Sequence, residues 1–235
     1  MLDKATWERL NENVSEPVLV EYTLQDADVK GPFSENIPKK LEEMAELKSL
    51  GYTSALELLS EKFHTDEKLL KALNPGQQFR DAGERIVVPN IERRGERPRV
   101  TKIEVDKKQK VLRALSKDGE LVAFYPATIG SDEKPAPSGS HEVRAIAENP
   151  TYHYNPEYKF KGVKSDKPFT VPPGPNNPVG AVWIDLSAKS YGIHGTPDAT
   201  KISKTFSNGC IRLTNWDVKE LAKLVTRGTK VEFID

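Results

Sequence analysis

The stretch Ser207-Asn208-Gly209-Cys210-Ile211-Arg212-Leu213 holds the only cysteine of the chain. A thiol reacts as thiolate, so a working cysteine needs a base or a positive field beside it. Sixteen residues earlier, Tyr191-Gly192-Ile193-His194-Gly195-Thr196-Pro197 carries an imidazole at the end of an apolar stretch, just before a Gly-Thr-Pro turn. A histidine so placed projects into a cleft and can accept a proton from a nucleophile. Arg212 follows the cysteine by two positions. If both lie on one strand they share a face, and the planar guanidinium suits a carboxylate. Each residue has a plainer reading: a lone buried thiol, a packed histidine, a structural ion pair. The cysteine and histidine together point to a nucleophile with its base, while Arg212 stands open between gripping an acidic substrate group and making a structural ion pair.

Other candidates carry less. Trp183 and Tyr191 either line the cleft or pack in the core. His141 and His153 lack the spacing of a metal site, and no cofactor or metal is expected. His64 falls near a helix end and reads as solvated. The stretch VPPGPNNP is either a stiff surface loop or a lid.

The bulk composition limits the classes of function. In 235 residues, Lys+Arg and Asp+Glu both number 35, so formal net charge is zero. No global field draws in nucleic acid. No apolar run is long enough for a membrane span. Charged residues at 30% and apolar residues at 37% fit a soluble protein with a core. The opening MLDKATWERL lacks the apolar segment of a signal peptide, which fits a cytosolic protein or a mature exported one.

Two regions must position these residues: a mostly helical one at about 17–91 and a mostly strand one at about 98–235. They follow an N-terminal extension (1–16) and are separated by a charged linker (92–97). In the first, PVLVEYTL reads as a strand. PKKLEEMAELKSLGY places Leu41, Met44, Leu47 and Leu50 at helical spacing, with Gly51 as stop. A helix capped by Thr53 or Ser54 follows, with Leu56, Leu59 and Phe63 on one face. Another, capped by Thr65 or Asp66, points Leu69, Leu70 and Leu73 inward and ends at Asn74-Pro75. AGERIVVPN closes the region with a strand.

In the second region, VTKIEV and KVLRAL alternate as half-buried strands do. Asp118-Gly119 turns the chain, and LVAFYPATIG reads as one continuous strand. AVWIDL and KVEFID are further strands. NWDVKELAKLVTRG is an amphipathic helix, capped by Asn215, ended at Gly228, with Trp216, Leu221, Leu224 and Val225 inward. The expected class is α+β: a small βααβ module, then a mostly-β sandwich or barrel with one covering C-terminal helix.

The residues ALELLSEKFHTDEKLLKALNP and AGERIVVPN resemble a LysM module, a small carbohydrate-binding unit. The resemblance departs upstream, where about 30 residues separate the first strand from Thr53. The residues from about 98 to the end resemble the L,D-transpeptidase (YkuD-type) catalytic domain. The resemblance rests on IHGTP and SNGCIRL, with YPATIG, APSGSHEV and VPPGPNNPVGAVWIDLSAKSYGIHGT in the family's order. One departure is Asn208, where the family usually has histidine.

The resemblance implies Cys210 as nucleophile and His194 as base, oriented by a backbone carbonyl at the Gly195 turn. It also implies a thiolate–imidazolium resting pair. Backbone N–H groups of Gly209 and Cys210 would form the oxyanion hole, Ser207 would hold the loop, and Asn208 would bind substrate or shape the turn. Arg212, Tyr191 and Trp183 would contact substrate. The implied reaction is peptidoglycan 3→3 cross-linking through a cysteine thioester drawn from a tetrapeptide stem, with carbapenems as covalent inhibitors. Water or a lipoprotein lysine as acceptor, or a non-catalytic wall-binding protein, are the alternatives. The implied partners are stem peptides and glycan strands, and the implied location is periplasmic or otherwise extracytoplasmic, as a mature form.

Overall fold

A computed structural model describes residues 3–12, 16–34, 36–91, 97–158 and 163–235. Helix α1 (Lys4–Asn11) starts at Asp3, whose carboxylate accepts a bond from Thr6 N at 2.8 Å. The expected linker lies almost wholly outside the described residues.

The N-terminal module closes with two antiparallel strands, β1 (Leu19–Thr23) and β2 (Arg85–Pro89), paired with Tyr22 opposite Ile86. Between them run four helices: α2 (Asp26–Val29), α3 (Leu41–Met44), α4 (Ala55–Lys62) and α5 (Glu67–Leu73). Ser54 caps α4 and Asp66 caps α5, each accepting a backbone N–H of the first turn. Leu24, Leu59, Phe63, Leu70, Ile86 and Val88 form one buried cluster. Asn74 does more than end a helix. Its side chain donates to Leu70 O (2.9 Å) and Val87 O (2.8 Å) and accepts from Val87 N (2.6 Å), tying α5 to β2.

Two expectations fail here. The helix expected across residues 38–50 is a single turn, α3, because the chain leaves the helical path to reach the other region of the molecule. Leu69 is half exposed, since only Leu70 of that helix faces the strands fully.

The second region is one mixed sheet of nine strands. In chain order these are β3 (Lys102–Asp106), β4 (Val111–Leu115), β5 (Leu121–Pro126), β6 (Thr128–Ile129) and β7 (Gly139–Glu148). After a separate two-stranded pair, β8 (Tyr152–Tyr154) and β9 (Phe169–Val171), come β10 (Val182–Leu186), β11 (Gly192–His194), β12 (Ile211–Arg212) and β13 (Lys230–Ile234). The sheet order is β5-β4-β3-β13-β7-β10-β11-β12-β6. Leu112 and Tyr125 from one end share a core with Ile129 and Ile211 from the other, so the sheet curls over on itself like a barrel. Helix α6 (Asn215–Leu224) covers this core with Val218 and Leu221.

The expected single strand LVAFYPATIG is two. It breaks at Ala127, and β6 crosses to pair with β12 at the opposite sheet edge. The N-cap of α6 is Thr214, which accepts from Asp217 N at 3.1 Å. Asn215 is the first helical residue. Trp216 turns away from the core to stack on His64 at 5.7 Å.

That stack belongs to a seam between the two regions. Leu50 N donates to Pro173 O (2.9 Å) and Asn176 N donates to Leu50 O (3.0 Å). Asn176 Nδ2 also donates to Gly51 O (2.9 Å) and Glu57 Oε1 (2.7 Å). Gly174 has φ +144°, and a Cβ there would sit 2.1 Å from Leu50 O, so no side chain fits at this crossing. The residues inserted ahead of Thr53 thus grip the VPPGPNNP loop, which holds the two regions together and does not lie as a free lid.

Candidate active site

Strands β11 and β12 run parallel, with Ile193 opposite Ile211 and His194 opposite Arg212. Both isoleucines are fully buried in the core. Side chains alternate along a strand, so Gly192, His194, Cys210 and Arg212 share the other face. Positions 192 and 194 are about 6.7 Å apart along the strand. The Cys210 thiol lies over the first of these, held by the Gly192 N–H and 4.0 Å from Ser190 O. Glycine at 192 leaves room for that sulfur and for the Trp183 ring, which comes within 2.5 Å of where a Cβ would stand. Trp183 stacks on the His194 ring at 5.4 Å and 19°.

His194 is buried, and its Nδ1 donates to Gly195 O at 2.7 Å. That bond leaves Nε2 as the acceptor nitrogen. Ser207 spans the cysteine loop, accepting from Gly209 N (3.2 Å) and donating to Cys210 O (2.5 Å). The Gly209 N–H, expected at an oxyanion hole, is directed at Ser207 Oγ. Tyr191 packs over Gly209, with its hydroxyl 3.4 Å from Pro135 O. Asn208 is exposed and lines a cavity of about 420 Å³ with Ser131, Asp132, Glu133, Phe206, Ser207 and Arg212. The Arg212 Nη1 reaches Phe206 O at 3.4 Å, while its Nε is buried with no partner among the described residues.

Burial pushes His194 down to about 3, the Arg212 guanidinium adds to the fall, and the bond to Gly195 opposes it. Burial likewise pushes the Cys210 thiol up, against lowering by the Gly192 N–H and Arg212. Taken singly, each group thus has its charged form disfavoured by burial. Both charges would lose hydration, and Arg212 already supplies the positive charge on this face. Such a pair can still transfer a proton as the sulfur attacks, with Nε2 as general base.

Sequence reasoning missed Asn215 as part of this site, reading it only as a cap. Its Oδ1 accepts from Ala181 N at 3.0 Å and lies where a Cβ on Gly195 would meet it at 2.2 Å. Among the described residues no helix is long and apolar enough to cross a membrane.

The sheet brings His194, at the end of β11, and Cys210, just ahead of β12, to neighbouring positions. Residues 101–233 match the model of the L,D-transpeptidase catalytic domain, YkuD. A putative L,D-transpeptidase YkuD of Bacillus licheniformis is 32% identical over 178 residues, covering 75% of this chain and 91% of that protein. A putative L,D-transpeptidase YqjB of Bacillus subtilis is 33% identical over 127 residues, covering 52% of this chain but 65% of that protein. A solved L,D-transpeptidase 3 from Mycobacterium tuberculosis is 14% identical, covers 66% of this chain and 75% of that one, and aligns with a TM-score of 0.47. The chain belongs to the L,D-transpeptidase catalytic-domain family.

Proposed function

We propose that this protein forms 3→3 cross-links in peptidoglycan outside the cytoplasmic membrane. The observation that carries the reading is the pairing of β11 with β12, which supports His194 and Cys210 acting on one substrate. Cys210 attacks the carbonyl of the third residue of a tetrapeptide stem while His194 Nε2 takes the thiol proton. The tetrahedral intermediate collapses, His194 returns the proton to the leaving D-Ala amine, and a thioester remains. The side-chain amine of a second stem then attacks the thioester, giving a new amide and freeing the thiol. No ATP is needed, because the thioester keeps much of the energy of the broken amide.

The cavity beside Asn208 supports a stem-binding role for Arg212, whose guanidinium faces a carboxylate on the incoming peptide. Ser207 holds the cysteine loop, and Gly195 sets the imidazole tautomer. Trp183 braces the imidazole from behind and Tyr191 borders the loop, with Asn208 offering an amide at the cavity rim. The two-strand, two-helix arrangement of β1, α4, α5 and β2 supports a LysM-like glycan-holding role, which raises the local concentration of substrate.

Incubation with disaccharide-tetrapeptide, followed by mass spectrometry, tests the reading. The expected product is a cross-linked dimer with loss of one D-Ala. A trimmed tripeptide alone marks water as acceptor. Unchanged substrate overturns the enzymatic reading in favour of a wall-binding protein.

A further inference from the structure

We infer that Glu61, on α4 of the N-terminal module, is a positioning residue for His194, acting through Asn215. The inference rests on the cysteine–histidine chemistry proposed above. Glu61 lies 154 residues from Asn215 in sequence, yet its Oε1 accepts from Asn215 Nδ2 at 2.5 Å. The same Nδ2 donates to Pro175 O at 3.0 Å, and Oδ1 accepts from Ala181 N at 3.0 Å. Every polar atom of this buried amide is thereby assigned. A flipped amide would set its oxygen against the Glu61 carboxylate and its NH₂ against the Ala181 N–H, losing all of these bonds.

The orientation matters because of what Oδ1 touches. A Cβ on either Gly180 or Gly195 would stand 2.2 Å from it, so the amide oxygen is wedged between these two turns. Gly195 carries the carbonyl that receives the His194 Nδ1–H at 2.7 Å. Glu61 thus fixes the amide, the amide fixes the Gly195 turn, and the turn fixes the tautomer that leaves Nε2 free to accept a proton.

Stability alone is a weak reason to place a carboxylate here. The Glu61 side chain is only 13% exposed, and burying a carboxylate costs several kcal/mol before its partners offset the loss. Those partners are the Tyr52 hydroxyl at 3.0 Å, the Lys219 ammonium at 3.8 Å and Asn215 itself. The geometry gives the N-terminal module a part in preparing the active site, beyond any role in holding glycan.

The test uses the full chain with Glu61→Leu, which removes the acceptor, and Glu61→Gln, which keeps an oxygen for Asn215 Nδ2. Glu61→Ala runs in parallel, so that a folding failure of the leucine variant does not end the test. In the leucine and alanine variants, D-Ala release at saturating tetrapeptide is expected to fall about tenfold or more, with KM changed by less than about twofold. Glutamine is expected to restore the rate to within about threefold. Histidine ¹⁵N spectra read the tautomer without substrate: wild type and the glutamine variant show His194 as the Nδ1–H form, while the leucine and alanine variants show a mixture. Unchanged rate and an unchanged tautomer in the leucine or alanine variant would overturn the inference. So would equal losses in all three variants that track a lower melting temperature. If wild type releases no D-Ala, the proposed reaction fails, and the tautomer comparison still decides the role of Glu61.

Discussion

The N-terminal module and the sheet domain reach their cores by different routes. In the module, Leu59, Phe63 and Leu70 come from two helices joined by a short turn, and a single strand pair closes around them. In the sheet domain, β3 pairs with β13 and β6 with β12, so the core forms only when distant segments meet. Between the cores lies a seam of another character. It is mostly polar, built from Glu57, Glu61, Asn176 and Asn215 with the backbone of Leu50. The contrast teaches a division of labour: apolar contacts make each region fold, while oriented hydrogen bonds set how one region shapes the other's site.

The largest effects should come from the cores. Leu59→Ala and Ile184→Ala each remove a fully buried side chain and should cost about 2–5 kcal/mol, read by urea denaturation. Leu59→Ala should unfold the module first and give two steps. A single shifted transition in that variant would mean the seam makes one cooperative unit of both regions.

Gly174→Ala comes next, at about 2–3 kcal/mol, because the new methyl overlaps Leu50 O and the backbone angle disfavours a side chain. The substitution should expose the seam to limited proteolysis. Resistance equal to wild type would show that Leu50 yields cheaply.

The pH response of the sheet domain follows from His194. Its folded pKa of about 3 lies below the ordinary 6.5, so below pH 6.5 the unfolded chain binds a proton that the folded chain refuses. Stability should therefore fall as pH drops through that window, by up to about 1.4 kcal/mol per pH unit from this residue. His194→Gln should flatten the fall between pH 6 and 4 in chemical denaturation; an unaltered slope would locate the acid sensitivity elsewhere.

The smallest effect belongs to the seam's aromatic contact. Trp216→Ala and His64→Ala, combined in a double-mutant cycle, should show a coupling loss of about 0.5–1.5 kcal/mol for the stack, measured by calorimetry. A larger loss would make the stack, and not the polar bonds, the main adhesive between regions.

Part of the candidate site was legible in the sequence. Cys210, His194 and Arg212 stand out by residue type and spacing, and the register of β11 and β12 sets His194 beside Arg212. The helices capped by Ser54 and Asp66 were equally plain, since capping and apolar spacing are local signals. The sheet order was not readable: β6 and β12 are two residues each, too short for any period. The helix expected over 38–50 failed because Leu50 follows a tertiary demand from Pro173 and Asn176 that no local pattern encodes. Asn215 was read as a cap because Glu61, its main partner, is too far away in the chain to suggest itself. The depth of burial of Cys210 and His194 was not readable for a related reason, as spacing says nothing of it.

The raised thiol of Cys210 has a consequence beyond acyl transfer. The deprotonated sulfur is the form that attacks peroxides and small disulfides. Burial of Cys210 against the Ser190–Gly192 backbone disfavours that form. In oxidising surroundings the molecule's one thiol should therefore age slowly.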